Sequence, residues 1–231
     1  GILLYDVHGS VQRTVIPFDE IPRHVKNATV AIEDADFYNH HGVSFEGIIR
    51  AFFSNIFSGN IAGQGGSTIT QQLIKTSLLT SKKTITRKIK EAILAVKLER
   101  VLSKEEILDL YLNEIPYGGQ SYGIEAAAQT YFGKSAHELT LAESAYLAAL
   151  PQAPTYYSPY GLHRDDLEGR KNLVLTRMNE LGFILKEEAE TAMGEKVAFV
   201  PRANESLKAP HFVMYVLDQL EQRYGKDVVD S

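Results

Sequence analysis

The feature that most constrains this chain is a series of marked helix boundaries. "SKEE" at 103–106 and "TLAE" at 140–143 are capping boxes, in which a Ser or Thr and the Glu three residues later satisfy free backbone N–H groups reciprocally. Apolar residues at helical spacing follow each box and recur around them. This predicts helices over about 84–100, 104–113, 121–132, 141–150, 166–181 and 186–193. Gly133, Gly182 and Gly194 stand where C-terminal caps belong. Pro22 opens an earlier helix with Val25, Thr29 and Ile32 on its inner face, ending between Asp34 and Asn39. Strand signals are fewer. "ILLYDVHGSVQRTVIPF" reads as two short strands around a His8-Gly9-Ser10 turn, and "KVAFV" as one more. "APHFVMYVLDQLEQRYG" reads as a final amphipathic helix. The fold class is therefore mainly α with a small β part.

A chain of 231 residues, 44% apolar and 23% charged, is long enough for one large domain or two small ones. It has no Cys, which excludes disulfides and thiolate metal sites and leaves the redox compartment open. A net charge of −5 argues against bulk nucleic-acid binding. Yet Lys75, Lys82, Lys83, Arg87, Lys88 and Lys90 form a strip with no acidic residue among them, which suits a single anionic ligand. No apolar run reaches the roughly 20 residues that span a bilayer, and no signal peptide is visible. The strand-like opening "GILLYD" leaves room for a preceding anchor in a longer protein.

Four segments have residues suited to chemistry. "IEDADFYNHHG" (32–42) packs Glu33, Asp34, Asp36, His40 and His41 together. Adjacent His side chains diverge on a helix, and Asp36 with His40 would be only two ligands, so the spacing disfavours zinc. A helix end with satisfied polar groups would look the same. Glu33, however, follows apolar residues near the negative end of a helix dipole, where a raised pKa and a general-base role are expected. "GQGGSTITQQLIK" (63–75) places glycines and uncharged donors at a helix start, which is either an ordinary loop or an anion or sugar site. It lacks the Gly-Lys-Ser/Thr of a nucleotide loop. In "TRKIKEAILAVKLE", Ile85, Ile89, Ala92 and Val96 form the buried stripe, and Arg87 and Glu91 share another face. That pair is either a weak surface ion pair or an anion-holding Arg oriented by Glu91. Finally, Ile48, Ile49, Phe52, Phe53, Ile56 and Phe57 make one broad apolar stripe, serving either core packing or membrane contact.

Taken together these segments resemble glycosyltransferase family 51, the peptidoglycan glycosyltransferases. Glu33, Asp34, Phe37, His40 and Gly42 match the first family motif. Gly65 to Lys75 match the second, and Arg87, Lys88, Glu91, Ala95 and Glu99 the third. Lys104, Ile107, Leu108, Tyr111, Asn113 and Gly118 match a fourth, and Arg170 and Met178 belong to a looser fifth. "YFGK" (131–134) and "LPQAP" (150–154) also fit. Five motifs in order, over about residues 4–200, make the resemblance specific. "APHFVMYV" is similar to the start of the linker in bifunctional class A penicillin-binding proteins. Their transpeptidase signature, Ser-x-x-Lys followed by Lys-Thr-Gly, is absent. Residues 1–205 are thus expected to form the glycosyltransferase domain and 206–231 the start of a linker.

The resemblance implies a lysozyme-like helical domain with a second, membrane-facing lobe. It implies lipid II and the growing lipid-linked glycan chain as substrates, joined β-1,4 with inversion at C1 and release of undecaprenyl pyrophosphate. Glu33 and Glu91 would be catalytic. Asp34, Phe37, His40, Ser67, Thr68, Gln71, Lys75, Arg87, Lys88, Asn113 and Lys134 would bind substrate. Phe52, Phe53 and Phe57 would touch the membrane. No cofactor is required, no metal ligands are assigned, and a divalent cation bridging pyrophosphate and carboxylates is allowed but not needed. The implied setting is the extracytoplasmic face of the bacterial inner membrane, with an N-terminal transmembrane anchor outside this sequence. Partners are the membrane surface and cell-wall synthesis proteins, and not nucleic acid. The rival readings are a lysozyme-like glycan hydrolase and a non-catalytic module binding lipid-linked glycan or phosphate.

Overall fold

The computed structural model describes residues 12–44, 66–78, 84–119, 121–201 and 219. Eight α-helices lie among them: α1 (Arg23–Glu33), α2 (Ile69–Leu78), α3 (Ile85–Leu98), α4 (Lys104–Glu114), α5 (Ile124–Phe132), α6 (Leu141–Ala149), α7 (Arg164–Glu180) and α8 (Lys186–Gly194). Both capping boxes form as read: Ser103 with Glu106 starts α4, and Thr140 with Glu143 starts α6. Gly133 and Gly182 take left-handed backbone past α5 and α7. Gly194 does not, being the last residue of α8, with Glu195 as its cap.

The second half of α1 is buried nearly all round, through Ala28, Thr29, Val30, Ala31 and Ile32. It packs against both α6 and α7, while α7 also packs on α6 and α8. This makes α1 the central rod of one core. On the far side of that core α2 packs against α4 and α3, and Ile69 and Leu73 of α2 join Ile32 and Phe37 in the same apolar cluster. The carboxyl end of α1 therefore emerges where α2 and α7 meet it, and that junction positions the site.

Three short strands cap one end. The order is β1 (Gln12–Arg13), β3 (Ser121–Tyr122), β2 (Pro116–Gly118), with β1 parallel and β2 antiparallel to β3. Strand β3 replaces the first turn of the helix expected from 121. "KVAFV" is not a strand: Val200 N–H donates to the Tyr131 carbonyl, the Tyr160 hydroxyl donates to the Val200 carbonyl, and the Phe199 ring packs on Phe132 and Tyr146, with no ladder partner among the described residues. A ladder needs a neighbour at every second residue, and alternation alone does not supply one. Most of the expected strand pair before Ile16, the stripe at 48–57 and the final amphipathic helix lie outside the described residues.

The expected buried stripe of α3 is not buried: Ile89 is exposed and Ala92 and Val96 are only half-buried. Ile89 and Ile93 are 54% and 52% exposed, whereas Glu91 and Ala95 are buried. The polar face turns inward because its charges have partners there. The apolar face borders a groove of about 910 Å³ that Ala92, Ile93 and Val96 line together with Asp36, His41 and Val43.

Candidate active site

Helix α1 ends at Glu33, and the loop after it folds back in turns to Gly42. Asp34 fixes that loop. Its carboxylate accepts from His40 Nε2 at 2.9 and 3.0 Å and from the backbone N–H of Ile69, the first residue of α2, at 3.0 Å. An anion at a helix N-terminus is favoured by the free N–H groups and the dipole there. Thr68 and Gln71 complete the start of α2 reciprocally. Thr68 Oγ1 accepts from Gln71 N–H at 3.1 Å, and Gln71 Oε1 accepts from Thr68 N–H at 3.0 Å. The Thr68 hydroxyl also donates to the Gly42 carbonyl at 2.7 Å. Two residues expected to bind substrate are thus buried and bonded within the chain.

This scaffold delivers Gln72 to Glu33. Gln72 Nε2 donates to Glu33 Oε2 at 2.7 Å, and the Tyr111 hydroxyl of α4 donates to Gln72 Oε1 at 3.2 Å. The other carboxylate oxygen, Oε1, is buried and accepts no hydrogen bond among the described residues. Arg170 Nη2 of α7 stands 3.8 Å from it, its guanidinium held by a 3.0 Å bond from Nε to the Ala149 carbonyl and by the face of Tyr157. Burial pushes the Glu33 carboxyl above the ordinary carboxylate range, and the Asp34 charge adds to this. The Gln72 bond and the charges of Arg170 and Lys75 pull the other way without cancelling it. A buried carboxylate with one open oxygen and a raised pKa is a proton acceptor in waiting.

The cations sit on α3. Glu91, 2% exposed, takes Lys88 Nζ at 3.0 Å on one oxygen and faces Arg87 Nε at 3.2 Å on the other. It is therefore no surface pair: the buried carboxylate holds two cationic heads side by side. Lys88 also donates to Ser67 Oγ at 2.6 Å, which joins α3 to the residues just before α2. Lys75 is exposed one turn beyond Gln72. So α2 lies between the two groups, with Ser67 against the α3 cations and Gln72 against Glu33.

The remaining predicted residues fall elsewhere. Phe37 is fully buried in the core, with Lys104 over its ring. Asn113 donates to the Ile16 carbonyl and accepts from the Ile16 N–H, both at 3.1 Å, and also donates to Asp109. Lys134 pairs with Glu143 at the start of α6, at 2.6 Å. Phe52, Phe53 and Phe57 lie outside the described residues. Sequence reading placed Gln72 and Arg170 in motifs but gave neither a site role nor a link to Glu33. A signal for Arg170 was present: it stands in the core stripe Leu167, Val174, Met178 of α7, and a buried guanidinium needs an anion. Among the described residues no group of three or more His, Asp or Glu side chains could hold a metal ion, and the oxygens of Asp34 are already occupied.

A family model described as "Transglycosylase" matches residues 2–179. The chain belongs to the transglycosylase family. The five ordered motifs lie within the matched residues and point to the same family. This transglycosylase is similar to penicillin-binding protein 1A of Aquifex aeolicus (strain VF5), 46% identical over 223 residues, covering 96% of this chain and 30% of the relative. It is similar also to penicillin-binding protein 1A of Escherichia coli (strain K12), 41% identical over 226 residues, covering 97% and 26%. The crystal structure of penicillin-binding protein 1A from Haemophilus influenzae superposes with a TM-score of 0.52 at 26% identity, over 94% of this transglycosylase and 22% of that chain. The chain spans between 22% and 30% of the length of these relatives. No helix among the described residues of the transglycosylase is long and apolar enough to cross a membrane.

Proposed function

We propose that this chain polymerises lipid II, joining the C4 hydroxyl of one disaccharide to C1 of the lipid-linked chain. The observation that carries this reading is Glu33 Oε1: a buried, open carboxylate oxygen on a group whose proton affinity is raised. A sugar hydroxyl is a poor nucleophile and needs such a base in the transition state. As Glu33 takes the C4–OH proton, the oxygen attacks C1 from the face opposite the leaving group. The C1–O bond to pyrophosphate breaks, and the configuration inverts from α to β. Undecaprenyl pyrophosphate departs as an anion, so the requirement on its side is positive charge rather than an acid. Arg87 and Lys88, oriented by Glu91, supply it, with Lys75 of α2 adding a further positive charge near Glu33. Nothing in this sequence of steps passes through a metal ion.

The setting follows from the substrate. A polyprenyl-linked donor lies in a membrane, so the enzyme works at the outer face of the cell membrane with an apolar surface toward the lipid. Incubation with lipid II in detergent, followed by gel separation of glycan and chromatography of the lipid, tests the reading. Long glycan with stoichiometric undecaprenyl pyrophosphate is expected. New reducing ends from preformed glycan would instead mark a hydrolase, and binding without turnover a non-catalytic module.

A further inference from the structure

We propose that Gln72 and Tyr111 are positioning residues that occupy one oxygen of Glu33 and so assign its other oxygen, Oε1, as the proton acceptor. The inference rests on the reaction proposed above and adds how its base is aimed.

The geometry is a short directed chain across three helices. Tyr111 on α4 donates to the carbonyl end of the Gln72 amide, and the amino end donates to Glu33 Oε2. A side-chain amide can present either end to a neighbour, and only one end has donors. Were it reversed, two acceptors would face each other at Glu33. The ionised Glu33 carboxylate only accepts, so it sets the amide's direction, and Tyr111 then donates to the carbonyl end, its phenol kept as an O–H because burial and the charge of Glu33 hold its pKa well above the ordinary value. The ring is itself fixed in the core.

Every other described group that faces Glu33 leaves Oε1 open. From α7, Arg170 stands at 3.8 Å, beyond hydrogen-bond length. From α2, Lys75 acts through charge alone, and Asp34, beside Glu33 in the chain, adds a like charge. Tyr117 of β2 is a buried phenol whose own pKa is raised by burial and by Glu33. Gln72 is thus the side chain whose hydrogen bond steadies the carboxylate. It stabilises the ionised form, the form a base needs, against the burial that disfavours it. Losing that bond should make Glu33 hold its proton to higher pH, which a merely structural loss would not do.

The test uses Gln72→Met and Tyr111→Phe, with Glu33→Gln to assign the carboxyl signal. The Glu33 carboxyl is titrated by carbon-13 NMR in the folded protein without substrate, and turnover of lipid II is measured across pH. In Gln72→Met the midpoint should rise by about one pH unit or more, equivalent to roughly tenfold less turnover on the acid side. Turnover should approach the native value above the new midpoint. Tyr111→Phe, which keeps the ring in the core, should shift the midpoint less and in the same direction, and it serves if the first variant does not fold. An unmoved Glu33 midpoint in the folded variants, or a rate loss equal at every pH, overturns the proposal. If the native protein fails to polymerise lipid II, the reaction is wrong and the carboxyl titration still decides the clamp.

Discussion

A methyl group on Gly42 would stand 2.6 Å from the carbonyl carbon of Ala95. The loop that follows Glu33 thus rests its backbone directly on α3, and Gly42 takes φ +87° to do so. Helix backbone cannot give way as a flexible side chain would. Gly42→Ala should therefore cost about 2–4 kcal/mol, from the left-handed conformation and the overlap together. A urea titration checks this: the midpoint should fall with an unchanged slope. It should also loosen the Thr68 bond to the Gly42 carbonyl, and with it the seat of α2.

Glu33→Gln should lower polymerisation by about 10² to 10⁴ while leaving the fold intact, the loss typical of a general base. It carries a stability signature as well. The folded-state pKa of Glu33 is raised, so the fold prefers the neutral side chain, and that preference costs nothing at low pH where the acid is already protonated. The thermal midpoint of the variant should match the native one in acid and exceed it as pH rises through the pKa of Glu33. Paired melting curves from pH 4 to 8 would expose the trend. A gap that is constant in pH would mean that Glu33 is not the group being relieved.

Arg87 and Lys88 are held by one carboxylate, but only Arg87 offers a fork that meets two phosphate oxygens at once. Arg87→Lys should lower kcat, and Arg87→Ala should lower it further, by up to about 2–4 kcal/mol in activation free energy. Lys186→Ala, remote and pairing only with Glu190 among the described residues, should be silent. Steady-state kinetics separates the two uses of charge. A rise in KM at constant kcat would show attraction of the substrate rather than stabilisation of the leaving group.

Asn113→Ala should act on stability and not on substrate. It removes the donor and the acceptor that hold Ile16 and leaves that backbone unpaired, for about 2–3 kcal/mol in all. Denaturation should register the loss, and KM for lipid II should stay near native. A raised KM with normal stability would return Asn113 to the substrate.

What could be read in the sequence follows the range of the interaction concerned. Ser103 with Glu106 and Thr140 with Glu143 interact three residues apart, so the starts of α4 and α6 were legible. Glu33 was legible too, because its place at the end of α1 is local. Its environment was not: Gln72 and Arg170 come from α2 and α7, and no spacing along the chain announces that they meet. Thr68 and Gln71 looked like free donors because a capping box and a sugar site use the same residue types. The inward face of helix α3 was misplaced for a different reason. Period locates an apolar face but not its direction, and here the inward face carries Glu91. Strands as short as Ser121–Tyr122 carry no periodic signal at all.

The bond between Ile16 and Asn113 joins residues 97 positions apart, and β1 waits still longer for β3. At about 5–20 residues per second, a ribosome needs roughly 5–20 s to make the missing partner. Through that interval the backbone of Gln12 and Arg13 has no ladder to join, and closing so long a loop comes late in any folding order. The N-terminal edge thus stays unpaired until β3 has been made. A nascent chain stalled before Asn113 carries an unpaired strand, exposed to chaperones and proteases, and release beyond Tyr122 removes that exposure.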